Sequence, residues 1–373
     1  MKVVFVGCLG PGMSRPSGVS NYVNNILSEL PKAGVEASLI GAGSVADSSL
    51  PYEFIPVSPC NGLTSFGFLM RLLASNPSIT LPEEPIINAH RPDDMIPFHV
   101  LRKKNPKVIT LHGTHFRNVY LKRGRIMGKA YDYLERFSIQ RTHQLIFVSK
   151  KSIELFLGRY PDRKDNTHYI PPGVNTDLFK RLDYLKSRES LRLREDDFVV
   201  LYAGRLDREK RLDILLQVFS TLKERREKSK LLIAGAGGDR PRLEALISSH
   251  RTKDVRMLGS VPQSRLPLLM SAADAFCILS AHEGFPSVIL EALACGLPVV
   301  STRVGDISEV VRPGVTGSIL ESSDLEEAAE KILEVGSHRE QMASSCVRIA
   351  REYSWQKVAE STAEVYREVL SNV

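Results

Sequence analysis

The chain has 373 residues, of which 43% are hydrophobic and 25% are charged, with a formal net charge of +7 at pH 7. This length favours two domains, and the composition is that of an ordinary globular protein without the run of about eighteen apolar residues that a transmembrane helix needs. The five cysteines are scattered and never spaced C-x-x-C, and the N-terminus lacks a signal-peptide pattern, so we expect a cytoplasmic protein with neither a disulfide framework nor a zinc site.

The positive charge is concentrated in the first half of the chain. Residues 1–188 hold 25 lysines and arginines against 15 acidic residues, whereas residues 189–373 hold 25 against 28. Within residues 102–164 the count is 16 basic to 4 acidic. This basic region could attract an anionic membrane, a phosphorylated acceptor or nucleic acid, or it could be a solvated face without a partner.

Short apolar runs alternate with helical patterns along the whole chain. In the first half, strands are predicted near residues 2–7, 36–41, 53–57, 85–89, 107–111, 144–148 and 167–171, and helices at 18–31, 63–74, 94–104, 124–143 and 149–159. In the second half, strands are predicted near 197–203, 230–235, 254–259, 275–279 and 297–301, and helices at 211–226, 240–249, 263–271, 286–295 and 354–370. Buried strands separated by crossover helices indicate parallel α/β sheets covered on both faces. The charged stretch 179–197 marks the break between two such domains.

Ligands of doubly wound sheets bind beyond the carboxyl ends of the strands. The loops at these ends are therefore the candidate sites: residues 7–18, 89–93, 111–117, 171–177, 203–211, 235–239, 259–263 and 279–287.

The loop and helix in AHEGFPSVILEALACG, residues 281–296, carry two glutamates eight positions apart, Glu283 and Glu291. Pro286 suits the first helical turn and Gly296 the C-terminal cap. The amides of Phe285, Ser287 and Val288 would then face the ligand at the positive end of the helix dipole, where phosphate binds. Carboxylates only accept hydrogen bonds, so they suit sugar hydroxyls instead, with Glu291 near a ribose and Glu283 near a second sugar. Both glutamates could equally be surface acids.

A second loop, in YAGRLDREKRLDILLQVF, brings Arg205 and Lys210 to the end of a strand. A diphosphate needs positive charge from a metal or from fixed cations. The sequence lacks the pair of aspartates one residue apart in a loop that commonly holds such a metal, so we expect the two basic side chains to bind phosphate. A surface turn paired with Asp207 and Glu209 is the alternative.

Three other features are weaker signals. The glycine-rich LLIAGAGGDRPRLEAL has Arg240 where a dinucleotide loop would have its third glycine, so we interpret it as a tight turn. Gly18 precedes a helix and ends a glycine-rich loop that could approach a phosphate. His112 ends a buried strand, a position at which histidine is more often structural than catalytic.

Together these stretches resemble the retaining glycosyltransferases of the GT-B fold, family 4 or group 1. The resemblance rests on GRLDREKRLDILLQVF, on the Glu283 and Glu291 spacing, on IPPGVNTDLF and TLHGTHF, and on the closing YSWQKVAESTAEVYREVL. It implies two Rossmann-like domains facing a cleft: an acceptor-side domain, residues 1–185 completed by the helix 354–373, and a donor-binding domain, residues 186–353.

The resemblance also implies a role for each matching residue. The catalytic residues would be Glu283, His112, Arg205 and Lys210. Arg205 and Lys210 would hold the donor diphosphate, Glu283 the hydroxyls of the transferred sugar, and Glu291 the nucleotide ribose. Contacts to the donor would also come from Gly18, Val261 near the base, Phe285, Ser287 and Val288. The family often has two glycines where this chain has Ser17 and Gly18, which leaves open how closely that loop approaches the donor.

The implied reaction is metal-independent transfer of a sugar, without a cofactor, from a nucleoside diphosphate (a UDP-sugar or GDP-mannose) to a hydroxyl with retention of configuration. We expect a lipid-linked, phosphorylated or glycan acceptor and peripheral association with an anionic membrane through residues 102–164. Nucleic acid is not expected as a partner, since aromatic residues are sparse there. The alternatives are a nucleotide-sugar-responsive binding module without catalysis, and a phosphorylase or an epimerase on the same fold.

Overall fold

The computed structural model describes residues 1–10, 18–43, 50–58, 64–113, 115–249, 254–322 and 324–372. The chain separates into a first unit, Met1–Pro172 with Trp355–Val373, and a second unit, Gly173–Ser354. Residues 173–185, which the sequence assigned to the first domain, belong to the second. Val174 donates its amide to the Tyr353 carbonyl, and Val174 and Phe179 are buried in the core of the second unit.

The first unit contains a parallel sheet of seven strands: β1 (Lys2–Val6), β2 (Glu36–Ala42), β3 (Glu53–Ser58), β4 (Ile86–Ala89), β5 (Lys107–Leu111), β6 (Gln144–Phe147) and β7 (Thr167–Tyr169). Its first five helices are α1 (Gly18–Glu29), α2 (Ser65–Ser75), α3 (Pro92–Leu101), α4 (His115–Gln140) and α5 (Lys150–Leu157). The strand order is β3-β2-β1-β4-β5-β6-β7. Helix α4 starts earlier and ends earlier than the 124–143 predicted.

The second unit contains a parallel sheet of six strands: β8 (Phe198–Ala203), β9 (Ser229–Ala234), β10 (Val255–Gly259), β11 (Ala275–Ile278), β12 (Val299–Thr302) and β13 (Gly317–Leu320). Its helices are α6 (Tyr184–Ser190), α7 (Leu212–Arg225), α8 (Arg240–Ser249), α9 (Leu266–Ala272), α10 (Ser287–Ala294), α11 (Leu325–Ser337) and α12 (Arg339–Glu352). The strand order is β10-β9-β8-β11-β12-β13. The last helix, α13 (Trp355–Ser371), belongs to the first unit.

Both faces of the first sheet are buried, as parallel sheets require. Val3 and Phe5 of β1 point to one face, where they pack with buried residues of α1 and α13. Val4 and Val6 point to the other, where they pack with buried residues of α2 and α3. Alternate residues of β1 therefore pack into two separate hydrophobic clusters. The prediction of two doubly wound parallel-sheet domains is confirmed.

Helix α6 lies within the stretch that the sequence identified only as a break. Arg188 of this helix is buried, and its Nη2 pairs with Asp274 Oδ2 at 2.7 Å. Asp274 also accepts the Val199 amide at 2.6 Å. Because both charges are hydrogen-bonded, the pair ties α6 to β8 and β11 and makes the stretch part of the second unit.

The described residues were searched for membrane-spanning helices and for groups of metal-binding side chains. None of the helices in the described ranges is both long and apolar enough to span a bilayer. Nor, in the part of the chain that the structure describes, do His, Cys, Asp and Glu side chains form a group of three that could hold a metal ion.

Candidate active site

The two loops with predicted donor-binding residues follow strands that are direct neighbours. Strand β8 pairs in parallel with β11, so residues 204–211 and 279–286 leave the same edge of the sheet. The Ala281 amide donates to the Glu209 carbonyl at 2.8 Å, which fixes one loop to the other. The strand order reverses its direction of growth at this pair, so the loops lie at the topological switch point where ligands of such sheets bind.

Lys210 and Glu283 meet at this switch point. Lys210 Nζ donates to Glu283 Oε1 at 2.6 Å, and Ser280 Oγ donates to the same oxygen at 2.8 Å. The two charged side chains are only 12% and 11% exposed, so their interaction is weakly screened. The arrangement holds a cation and an acceptor carboxylate in fixed positions, the pair of functions needed for a phosphate and a sugar hydroxyl.

Arg205 has a different environment from Lys210. Its side chain is 68% exposed and pairs with Asp207 at 2.7 Å and Glu209 at 3.1 Å. Arg205 is therefore a salt-bridged surface residue in this structure, as the alternative interpretation of the loop predicted, and its binding of phosphate stays a prediction. Its carbonyl accepts the hydroxyl of Tyr202 at 2.8 Å, and burial raises the pKa of that tyrosine well above its usual range.

Helix α10 begins beside this ion pair. Pro286 is the N-cap residue, one position before the first helical residue, Ser287, so it is not part of the first turn as predicted. The Ile289 amide donates to the Pro286 carbonyl at 3.1 Å. The amides of Ser287 and Val288 lie ahead of this bond, at the helix start, where no preceding helical carbonyl is placed to accept them. Gly296 follows the helix with φ +70°, the left-handed conformation expected of its capping position.

Glu291 lies one turn into α10 and is partly exposed. Desolvation by the surrounding protein raises its pKa to about 7, although a hydrogen bond with the Gln263 side chain acts in the opposite direction. Gln263 is two residues beyond Val261, the residue expected near the base, and Val261 packs partly buried against the core. The loop after β10 and helix α10 are thus brought together, as a shared nucleoside-binding role would require.

The loop that carries Glu283 contacts the turn after β12. Gly305 has φ +54°, and a Cβ there would lie 2.0 Å from the Gly284 carbonyl oxygen and 2.6 Å from that of Glu283. The next residue, Asp306, donates its amide to the same Gly284 carbonyl at 3.1 Å. Only glycine permits this close approach of two backbones.

The remaining predicted site residues, His112 and Gly18, belong to the first unit. His112 directly follows β5, and its ring lies edge-on to Tyr22 with centroids 4.8 Å apart. Its Nε2 is 2.8 Å from Nδ1 of His90. Gly18 is exposed at the start of α1, while Ser17 and the rest of the loop 11–17 lie outside the described residues.

Several residues that contact these side chains or loops were not named from the sequence: Ser280, Gln263 and Gly305 in the second unit, and His90 in the first. Ser280, Gln263 and His90 lie in loops already identified as candidates from their position after a strand, so position gave a signal that residue type did not. Gly305 follows β12, whose loop was not among the candidates. Its position after the carboxyl end of a strand could have identified this loop in the same way.

Two family models cover most of the chain. Residues 183–353 match the model described as glycosyl transferases group 1, and residues 16–178 match glycosyltransferase family 4. A D-inositol 3-phosphate glycosyltransferase from Salinispora tropica is 26% identical over 97% of this chain and 83% of its own length.

Solved structures share the fold at lower identity. Sucrose-phosphate synthase from Thermosynechococcus elongatus superposes with a TM-score of 0.82 at 20% identity, covering 100% of both chains. Anabaena Alr3699/HepE in complex with UDP-glucose superposes with a TM-score of 0.74 at 21% identity, over 99% of this chain and 100% of that one. On the strength of the two matched models, the glycosyltransferase relatives and the two parallel-sheet units, this chain belongs to the group 1, family 4 glycosyltransferases, with the GT-B fold.

Proposed function

We propose that this glycosyltransferase moves a hexosyl group from a nucleoside-diphosphate sugar to an acceptor hydroxyl with retention of configuration and without a metal ion. The observation that carries the proposal is the Lys210–Glu283–Ser280 cluster at the β8/β11 switch point, next to the first turn of α10. The UDP-glucose complex of a structural neighbour supports a nucleotide sugar as the donor.

In this proposal the cations and the α10 amides hold the diphosphate, where negative charge develops as the glycosidic bond breaks. Lys210 supplies a weakly screened charge, the amides of Ser287 and Val288 supply two donors, and Arg205 adds a solvent-exposed charge. Preorganised donors of this kind stabilise a leaving group without reorganisation during the reaction. They also provide the charge compensation that a divalent ion would otherwise supply.

Glu283 orients the transferred sugar by accepting hydrogen bonds from its hydroxyls. Its Oε1 is already shared by Lys210 and Ser280, so its other oxygen, Oε2, is the one directed to the sugar. We propose departure and attack on the same face: the bond from C1 to the phosphate oxygen breaks as the bond to the acceptor oxygen forms. The acceptor's proton passes to the departing phosphate oxygen, so Glu283 forms no bond to C1.

The test is the reaction itself, run with UDP-sugars and GDP-mannose as donors in the presence of EDTA. Inositol phosphates, lipid-linked sugars and simple glycans serve as acceptors, and NMR of the product reports the anomeric configuration. We expect transfer with a retained anomeric centre at an unchanged rate in EDTA. An inverted product, or activity that returns only with a divalent ion, contradicts the mechanism. Binding of the sugar nucleotides without transfer to any acceptor would favour a binding module.

We further propose that the acceptor is lipid-linked or phosphorylated and that the first unit docks on the cytoplasmic face of a membrane. Two helices of the first unit expose apolar side chains: Ile126, within the basic region, is 86% exposed on α4, and Phe66 is 62% exposed on α2. Helix α3 packs against both of these helices. The exposed lysines at positions 103, 104 and 129 lie within the basic region, residues 102–164. Exposed apolar side chains combined with basic ones are typical of surfaces that bind anionic lipid.

Sedimentation with vesicles tests this docking. We expect binding to vesicles with anionic lipid, weaker binding to neutral ones, and a loss of binding in Ile126→Glu. The matched control is Leu258→Glu, which changes an exposed leucine of the second unit. Equal binding to neutral and anionic vesicles would exclude the basic region as the determinant.

A further inference from the structure

Ser280 is a buried serine beside the Lys210–Glu283 ion pair. It lies two residues after β11, is 1% exposed, and donates from Oγ to Glu283 Oε1 at 2.8 Å. A hydroxyl has a single proton to donate, and that of Ser280 is directed to this carboxylate. Because the serine is enclosed by protein, it influences a bound sugar only through Glu283.

The position of Ser280 is fixed by contacts with the strand ends on either side. Its carbonyl accepts the hydroxyl of Thr302, at the end of β12, at 2.8 Å. The next residue, Ala281, donates its amide to the Glu209 carbonyl, in the loop after β8, at 2.8 Å. Strands β8 and β12 are the two neighbours of β11 in the sheet. Ser280 is therefore anchored from both sides, and its hydroxyl is a donor in a fixed place.

Lys210 is the second donor to the same carboxylate oxygen. Its Nζ lies 2.6 Å from Glu283 Oε1. In the proposed function this ammonium also binds the donor diphosphate, and its flexible four-carbon stem lets it shift toward the phosphate oxygens. The diphosphate and Glu283 are both anions, so they compete for the same cation. The hydrogen bond from Ser280 is not subject to this competition, because the serine is held by the neighbouring strand ends.

We propose that Ser280 is a positioning residue: it holds Oε1 of Glu283 in place while Lys210 binds the diphosphate, so that Oε2 stays directed to the transferred sugar. The proposal rests on the function proposed above, in which Glu283 accepts hydrogen bonds from the hydroxyls of that sugar. It gives the two donors different roles. Lys210 binds both the diphosphate and the carboxylate, whereas Ser280 binds the carboxylate alone.

The first experiment observes Glu283 directly and needs no sugar transfer. Crystal structures of the full chain with UDP, for the unsubstituted protein and for Ser280→Ala, report the rotamer of Glu283. We expect the hydrogen bond from Ser280 to persist with UDP bound, and Glu283 to take a different rotamer in Ser280→Ala. An unchanged Glu283 in the variant, or a hydrogen bond that is lost when UDP binds, would overturn the proposal.

Kinetics and binding separate a positioning role from a structural one. We expect Ser280→Ala to lower kcat by about tenfold or more, as the loss of a hydrogen bond to a charged group predicts, and to leave UDP affinity unchanged. The matched control is Ser301→Ala, since Ser301 is a buried serine of β12 whose Oγ donates to the Thr302 carbonyl at 2.9 Å. A loss of kcat as large in Ser301→Ala, or a loss of UDP affinity as large as the loss of kcat in Ser280→Ala, would show that the effect is structural.

Donor sugars that lack one hydroxyl at a time show whether Ser280 acts through Glu283. With the donor that lacks the hydroxyl bound by Glu283, the unsubstituted protein is already slow, and Ser280→Ala should cause little further loss of kcat. An equal loss with the complete donor and with every deoxy donor would contradict the positioning role.

The outcomes separate this inference from the function on which it rests. If Glu283 moves in Ser280→Ala but kcat does not change, the positioning role in the reaction is wrong. If the unsubstituted protein transfers no sugar from any donor, the proposed function fails, and the crystal structures alone then decide whether Ser280 holds Glu283 in place.

Discussion

The clearest quantitative prediction concerns the two cations, because the structure places them in different environments. Replacing Lys210 with methionine keeps most of the length of the unbranched side chain and removes the charge. Replacing Arg205 in the same way removes a charge that is 68% exposed and already shared by Asp207 and Glu209. The sequence alone gave these residues the same role with the same weight.

The expected magnitudes follow from burial. A charge-assisted hydrogen bond from the weakly screened Lys210 contributes about 1.5–3 kcal/mol, so Lys210→Met should weaken UDP binding by about 10- to 150-fold. Exposed ion pairs contribute about 0.2–1 kcal/mol, so Arg205→Met should weaken binding by less than about fivefold. The effect of Arg205→Met should also shrink as salt is added, because the Debye length falls from about 10 Å at 0.1 M to about 3 Å at 1 M.

Isothermal titration calorimetry with UDP measures both effects, well below the melting temperature of each variant. Lys331→Met is the matched control, since Lys331 is a partly exposed lysine of the same unit that pairs with Glu334 at 2.7 Å. If Lys210→Met binds UDP within twofold of the unsubstituted protein, or if Arg205→Met has the larger effect at physiological salt, the assignment of the diphosphate to this loop pair is wrong.

Further predictions concern the carboxylates and the turn beneath them. Glu283→Gln should lower kcat far more than UDP affinity, because the diphosphate does not contact Glu283; equal losses in steady-state kinetics would argue against this. The pKa of Glu291 is raised from 4.5 to about 7. The folded protein therefore takes up a proton on Glu291 more readily than the unfolded chain does. Burial of the ionised carboxylate lowers the free energy of unfolding above pH 7, and this loss of stability disappears as the pH falls toward 4.5. Ionised Glu291 accepts from a ribose, so uridine affinity should fall from pH 8 to pH 6, and the fall should vanish in Glu291→Gln. Gly305→Ala should lower both the melting temperature and kcat, whereas Gly314→Ala, also left-handed at φ +72° but with open space around it, should leave kcat unchanged.

The alternation of strands and helices was readable from the sequence because each buried strand is a short apolar run and each helix has its own periodicity. Two of the elements that were missed, β13 and α6, lack one of these signals. Strand β13 has only four residues, with buried residues at its two ends alone. Helix α6 lies in a charged stretch, and its burial depends on Arg188 pairing with Asp274, a residue far away in the sequence. For α11 a local signal was present, since Asp324 caps the amides of Glu326 and Glu327.

The candidate site shows the same division. The sequence by itself identified the residue types and the loops: cations after β8, acids around the start of α10, and a histidine after β5. It could not show that Lys210 pairs with Glu283 across 73 positions, or that Arg205 remains in solvent. Nor could it show that His90 meets His112. These contacts depend on which strands are neighbours in each sheet, and strand order is set by long-range packing and not by local sequence pattern.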